Sequence, residues 1–493
     1  MAPLTAWLPV RPHQDFDLVI KIVGSAASGL VKDWLLIAQS LIQKGLSVMT
    51  QQGRLNGGSH EFVLDIRLAA RPFDSMGHGC DVLVHLGHSA PDCRDFGLQP
   101  GSLLLWEPSP KKRPPPFLPN GVIAYPIPLT DLCLRNGEGP MGKGLVALGA
   151  LLHLLGIPEA TLCRWSPSLS APGSFAAGHD YARYDIEKRD AYSLPFAKAT
   201  SSRAMLLSSE RAILLGYAVS ACACRTACKA ELLASPGRWT AKHLDAVGSM
   251  MSILESEGHP GVRVYRGPGG NVLAALRGNE VAITSCLNGV NAPLVLVAAD
   301  IPDVFNLILT GHDLVRRGVS DGVAVLIEDA IALRHQSVAV GDMICHSNQM
   351  AHDTDGSFPW ESGDAMVARE GDPEAEVGFV AWGAAQGVVR DAMALCRNVG
   401  IRVAGLYPKQ IEPFPLKAME VFAESVGRVV LVESGQRQRY WSRIRRALSF
   451  QPVVLTPEPG HSFTPMDLLL QESLGMGSWL QPTKQRSWGN DTV

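Results

Sequence analysis

VGFVAWGAAQGVVRDAMALCRN, residues 377–398, decides the fold class. Residues 377–383 are an apolar run of strand length that ends in a glycine, and from 386 to 398 the apolar positions change to helical spacing. IRVAGLYP (401–408) reads as the next strand, 416–426 as a helix, and RVVLVE (428–433) as a further strand. Strands and helices alternating through short connections predict parallel strands in a sheet covered on both faces.

The same alternation extends upstream. DLVIKIVG (17–24) is a strand-length run followed by GSAASG (24–29). Val31, Trp34, Leu35, Ala38, Leu41 and Ile42 then recur at helical spacing, and Gly45 ends that helix before LSVMT (46–50). CDVLVHLG (80–87), SLLLW (102–106) and GVIAY (121–125) read as buried strands, and a helix over 144–156 closes this unit. A middle unit opens with a helix capped by Ser208 or Ser209, and carries GVRVY (261–265), PLVLVAAD (293–300) and VAVLI (323–327) as strands. Residues 165–205 and 347–374 are rich in Ser, Pro, Gly or charge, lack periodicity and read as linkers. The expected organisation is three parallel-sheet α/β domains: 1–164, 206–346 and 375–493.

Composition narrows the function. The chain has 493 residues, 46% hydrophobic and 18% charged, enough apolar material for several cores. With 44 basic and 47 acidic residues it offers no broad positive field, so no nucleic-acid partner is expected. The longest uncharged apolar stretch, 144–157, is about 14 residues against the roughly 20 a membrane span needs, so no span is expected. The first residues lack a basic segment followed by an apolar one, and 10 scattered cysteines suit a reducing compartment; a cytoplasmic protein is expected.

Several stretches could carry chemistry. GSAASG, from Gly24 to Gly29, sits between a strand and a helix, where backbone N–H groups can face a phosphate; a tight strand–helix turn is the plainer reading. Gly57-Gly58 and the RGPGGN turn with Gly267 and Gly269 allow close approach of a ligand or another chain segment. Cys222, Cys224 and Cys228 have a spacing that fits no common iron–sulfur run, so packing residues are expected and no cluster is assigned to this chain. His60, His78, His85 and His88 lie near one another in sequence without a ligand pattern, and His153 reads as a hydrogen-bonded core residue. No metal site is expected.

The region of residues 377–433 resembles the C-terminal domain of the α subunits of 2-oxoacid:ferredoxin oxidoreductases, most closely the 2-oxoglutarate type. Gly378, Trp382, Gly383, Gln386, Gly387, Tyr407, Pro408, Pro413, Pro415 and Glu433 carry that resemblance. The first unit looks like the γ domain that such subunits carry fused at their N-terminus, and the middle unit then corresponds to a thiamine-pyrimidine domain. The resemblance implies a thiamine diphosphate and Mg²⁺ site shared with a β subunit that carries a [4Fe–4S] cluster. It further implies oxidative decarboxylation of a 2-oxoacid, transfer of the acyl group to coenzyme A, and electrons leaving to ferredoxin.

The middle unit departs from that pattern. Family members carry Tyr-Pro-Ile-Thr-Pro where a gap-free alignment from Gly216 places residues 228–232, so Glu231 replaces a hydroxyl. The glutamate that contacts the aminopyrimidine falls near Val247, with Asp245 the nearest carboxylate. Tyr265-Arg266 stands in place of Thr-Ser, Asn56 in place of the arginine before the glycine pair, and the Gly-Gly-Pro-Ser-Thr-Gly substrate loop has no counterpart after residue 300. Two readings follow: an active, divergent subunit built on Glu231, Asp245 and Arg263, or a non-catalytic structural paralogue. A third is a nucleotide- or coenzyme-A-binding protein that uses Gly24, Gly29, Gly57 and Gly58.

Overall fold

The computed structural model describes residues 16–24, 27–54, 62–87, 93–108, 118–137, 142–158, 173–195, 204–222, 294–316, 322–339, 366–398, 400–433, 445–457 and 463–469. It also describes short strands at 263–266, 272–275 and 281–284, and isolated residues between these segments. In the first lobe the elements run β1 (Asp17–Val23), α1 (Ala27–Gln43), β2 (Ser47–Arg54), β3 (Phe62–Ala69), β4 (Cys80–His85), β5 (Leu98–Trp106), β6 (Ile123–Pro126), α2 (Leu129–Arg135), α3 (Lys143–Leu154) and α4 (Ser174–Tyr184). The middle lobe adds β7 (Ala204–Ser208), α5 (Ser209–Cys222), β8 (Arg263–Arg266), β9 (Val272–Ala275), β10 (Val281–Thr284), β11 (Leu294–Val297), α6 (Ile301–Arg316), β12 (Val323–Leu326), α7 (Asp329–Ala332) and β13 (Arg334–Ala339). The C-terminal lobe holds β14 (Val367–Gly371), β15 (Val377–Ala381), α8 (Ala385–Asn398), β16 (Val403–Pro408), β17 (Gln410–Glu412), α9 (Leu416–Ser425), β18 (Val429–Val432) and β19 (Val453–Leu455).

Each lobe is α/β with a parallel core, but antiparallel strands extend every large sheet. The first sheet has the order β6-β5-β4-β1-β3-β2-β13-β7. β1 runs parallel to β4 and antiparallel to β3, and β2, β13 and β7 continue antiparallel. The middle sheet, β10-β12-β11-β17, is parallel except for β17. The C-terminal sheet, β14-β16-β15-β18-β19, is parallel except for β14. Thus β7 and β13, from residues assigned by sequence largely to the middle unit, complete the first sheet, and β17 from the C-terminal unit completes the middle one.

Packing follows the periodicities. Leu30, Trp34, Ile37, Ala38 and Leu41 lie on one face of α1 and are buried against alternate residues of β1, including Leu18, Ile20 and Ile22. Burying each large side chain is worth roughly 1.5–3 kcal/mol. The middle and C-terminal lobes share a core in which Val295, Val297 and Leu326 pack with Val380, Trp382, Leu406, Phe422 and Leu431.

Within the stretch expected to be a linker, α4 is a helix packed closely on α3. A Cβ on Gly149 would lie 2.1 Å from the Phe175 carbonyl oxygen, and one on Gly178 1.9 Å from that of Val146. Ser208 caps α5, accepting a hydrogen bond from the Arg211 N–H at 3.2 Å. Among the described residues no helix is long and apolar enough to cross a membrane.

Candidate functional site

Two places concentrate charge where strands end. The first is the carboxyl rim of β1, β4 and β5. Glu107, next after β5, accepts hydrogen bonds from the Lys143 ammonium at 2.8 Å and from the Thr130 N–H at 2.6 Å. Burial would push this carboxyl up, but those two donors hold it below the usual range. Lys143 is only 3% exposed, so its charge is satisfied inside the lobe. Gly24, at the end of β1, has φ +133, and a Cβ there would lie 2.9 Å from Leu86 Cβ. Its role at this level is a close approach between β1 and the end of β4.

The second place is the junction of the three lobes, at the carboxyl ends of the parallel strands β11 and β12, where open α/β sheets present ligand-binding crevices. Three residues link β11 to α6. Asp300 accepts a hydrogen bond from the Asp303 N–H at 2.8 Å, and Asp303 accepts one from the Ala299 N–H at 3.0 Å. This is a reciprocal cap on the first turn of α6. Lys409, between β16 and β17, pairs with Asp303. Burial, reinforced by the Asp303 charge and opposed by Lys409, pushes the Asp300 carboxyl up to about 6.

Glu328, just past β12, accepts a 2.6 Å hydrogen bond from the Ala384 N–H at the start of α8. Gly383 has φ +58, and a Cβ on it would lie 2.4 Å from Glu328 Oε2. Arg334 begins β13, on the face it shares with Gln336 and Val338, and Gln336 Oε1 accepts from the Ile301 N–H at 3.4 Å. Burial lowers the Arg334 pKa against the opposing charges of Asp300, Glu328 and Asp74. Its Nε and Nη1 have no hydrogen-bond partner among the described residues, and neither does the buried Gln386 Oε1 on α8.

The first lobe reaches the same junction. A Cβ on Gly387 would lie 2.1 Å from the Asp74 carbonyl oxygen. Burial, together with Asp391 and Glu370 and against Arg390, raises the Asp74 carboxyl. Tyr407 donates to Glu370 at 2.7 Å; burial first, then that bond, raises its hydroxyl pKa. Among the described residues no group of three or more His, Cys, Asp or Glu could hold a metal ion.

One solved structure parallels the chain over nearly its whole length. The structure of 2-oxoglutarate:ferredoxin oxidoreductase from Magnetococcus marinus, with 2-oxoglutarate, coenzyme A and succinyl-CoA bound, aligns with a TM-score of 0.66 at 18% identity, covering 93% of this chain and 99% of that chain. The chain has the fold of that oxidoreductase. Over 34% of this chain, a keto/oxoacid ferredoxin oxidoreductase γ subunit from Geobacter sulfurreducens aligns at 18% identity with a TM-score of 0.28, covering 98% of that chain. A pyruvate oxidoreductase subunit from Thermotoga maritima aligns at 17% identity with a TM-score of 0.27, covering 34% of this chain and 94% of its own. No family model and no curated protein matches the sequence.

Within the oxidoreductase fold, the residues that carried the sequence resemblance do architectural work. Gly378 admits the Phe422 ring, Gly383 admits the Glu328 carboxylate and Gly387 admits the Asp74 backbone. Trp382 lies in the core shared by two lobes, and Pro413 follows a cis peptide bond.

Most site residues named from sequence fall elsewhere. Glu231, Asp245, Gly57, Gly58, Gly267, Gly269, Cys224, Cys228, His60 and His88 lie outside the described residues. Arg263 is described only as the first residue of β8, Cys222 only as the last of α5, and Gly29 only as part of the first turn of α1. His85 is buried at the end of β4, and the His153 ring stands edge-on to that of His179 at 4.7 Å. Sequence reasoning did not single out Asp300, Glu328, Arg334 or Lys409. The available signal was an acid placed directly after an apolar, strand-length run, as in VLVAAD and VAVLIE.

Proposed function

We propose that this chain is an α-type subunit of a 2-oxoacid:ferredoxin oxidoreductase-like complex, kept for assembly rather than for its own turnover. The observation that carries the reading is the connection from β11 to α6. Ala298 and Ala299 are buried, and Asp300 and Asp303 cap the helix at once. The turn is three residues long and closes directly onto the helix. The turn offers no extended loop to lie over a thiamine diphosphate, and no catalytic step is assigned to the described residues.

The interfaces between lobes are nevertheless closely packed, which suits a chain selected for its surfaces. Its partner would be a β-type subunit carrying thiamine diphosphate, Mg²⁺ and a [4Fe–4S] cluster, with ferredoxin and coenzyme A engaged through the complex.

The test is the thiamine diphosphate content per copy of this chain after gentle purification with its natural partners. A value near zero with a β-type partner present supports the assembly role. A value near one favours the active subunit instead, and Glu231→Ala and Asp245→Ala would then be measured for turnover.

A further inference from the structure

The C-terminal sheet has an open edge at β14. This strand pairs with β16 on one side, and no described strand pairs with its other side. Ala368, Arg369 and Gly371 on it are exposed. An exposed strand edge is a template for pairing with another chain. Beside this edge, between β14, β16 and α9, runs a groove of about 190 Å³. Val367, Leu406 and Phe422 line it with apolar surface, and Val421 of α9 stands on its wall, 54% exposed.

Charge at the groove has one sign. Arg369 and Lys417 also line it, and no acid does. Arg369 lies 5.3 Å from the centre of the Phe422 ring and donates from Nη2 to the Pro373 carbonyl at 3.2 Å. Neither cation forms an ion pair among the described residues. Glu370, the acid of β14, belongs to the opposite face, where it accepts from the Tyr407 hydroxyl at 2.7 Å. Size then separates the occupants. Sites for free small molecules usually span roughly 300–1,000 Å³. A groove of about 190 Å³ suits one large side chain instead. The open edge, the apolar groove and the two unpaired cations together fit an extended segment. Its backbone would run along β14, one apolar side chain would fill the groove, and its carboxylates would meet Arg369 and Lys417.

We propose that β14 and the groove beside α9 form the docking surface for an acidic, extended segment of a partner chain that carries one large apolar side chain. The segment adds as a further strand to the C-terminal sheet. This deepens the assembly role by naming a surface for a partner, and it rests on that reading only for there being a partner.

The test measures the fluorescence anisotropy of a labelled peptide, acetyl-Asp-Glu-Phe-Glu-Asp-Glu, against the full chain. The peptide should bind, and raising salt from about 50 to 300 mM should weaken it about fivefold. Replacing its Phe by Ala should weaken it about tenfold. N-methylating alternate peptide amides should weaken binding in one of the two alternations and not in the other. Arg369→Glu with Lys417→Glu should weaken binding about tenfold or more, and Val421→Asp should do the same. Lys417→Gln, a milder change, should still weaken it and covers the case in which the double reversal fails to fold. The proposal is overturned if the peptide does not bind at about 1 mM, or if a peptide with Lys in place of its acids binds as tightly. It is also overturned if the double reversal leaves binding unchanged, or if sedimentation shows that a second copy of the chain takes this surface, as self-association that Arg369→Glu abolishes. Peptide binding needs neither thiamine nor a β-type partner, so the two proposals fail separately.

Discussion

Arg67 on β3 donates a hydrogen bond from Nη1 to Asp391 Oδ2 on α8 at 2.7 Å, across 324 residues of chain. The same guanidinium donates to both oxygens of Asp17 at 3.0 and 2.9 Å and to the Ser75 carbonyl at 2.9 Å. One side chain thus ties β1, β3 and the segment that follows it to the C-terminal lobe. Its side chain is 11% exposed and that of Asp391 20%, so solvent screens the pair little. Arg67→Ala should cost about 3 kcal/mol, because two carboxylates lose the guanidinium they share in a partly buried place. In urea unfolding, Arg67→Ala and Asp391→Ala should be markedly non-additive. Simple additivity would mean that the contact does not couple the lobes.

The α3–α4 crossing gives a steric prediction. In an exposed helix, Gly→Ala stabilises by about 1 kcal/mol. At Gly178 the added Cβ would meet the Val146 carbonyl oxygen at 1.9 Å, backbone against backbone. Gly178→Ala should therefore destabilise, by about 1–3 kcal/mol as overpacking usually does. Thermal unfolding of the variant decides the sign, and a gain in stability would show that the helices can separate freely.

That crossing also shows where the sequence could be read and where it could not. The C-terminal lobe was legible because its central strands are continuous apolar runs buried at every position and its helices bury Val389, Met393 and Phe422 at helical spacing. Helix α4 buries Ser174, Phe175, Gly178, His179 and Ala182 instead, mostly small or polar residues that leave no apolar stripe in the sequence. The first sheet was legible only in its parallel half. β13 joins β2 and β7 across long separations in sequence, and no local pattern encodes such a pairing. The junction was missed because Asp300, Glu328 and Arg334 gain their meaning only when three lobes meet. The glycines at 378, 383 and 387 belong to the family pattern, and in space each admits a neighbouring segment: the Phe422 ring, the Glu328 carboxylate and the Asp74 backbone.

Asp300 gives the junction a pH signature. Burial and the Asp303 charge push its carboxyl up to about 6 in the folded chain, against an ordinary value of 3.8. Between these values the folded state holds the proton that the unfolded state has released. This contribution is fully present below about pH 4 and is lost as pH rises through about 6. Asp300→Asn keeps an acceptor for the Asp303 N–H and removes the buried charge. It should gain on the order of 1–3 kcal/mol at pH 7.5 and nothing at pH 4. Urea midpoints at the two pH values measure it, and an equal effect at both would show that the charge is not responsible.

His335, next to Arg334 on β13, carries the opposite slope. Burial, aided by Arg211 and opposed by Glu210, lowers its pKa from 6.5 to about 4. Below about pH 6.5 the unfolded chain takes up a proton that the folded chain refuses, so stability falls as pH drops towards 4. The Asp300 contribution rises over much of the same window, and the two partly cancel in the unaltered chain. Each single variant uncovers the other group. Asp300→Asn should make stability fall more steeply on acidification from pH 6.5 to 4.5, whereas His335→Gln should make it fall less or rise. The two profiles should diverge by on the order of 4 kcal/mol across that window, about 2 kcal/mol from each group. Parallel pH profiles for the two variants would rule out both assignments, because the carboxylates common to both chains cancel in the comparison.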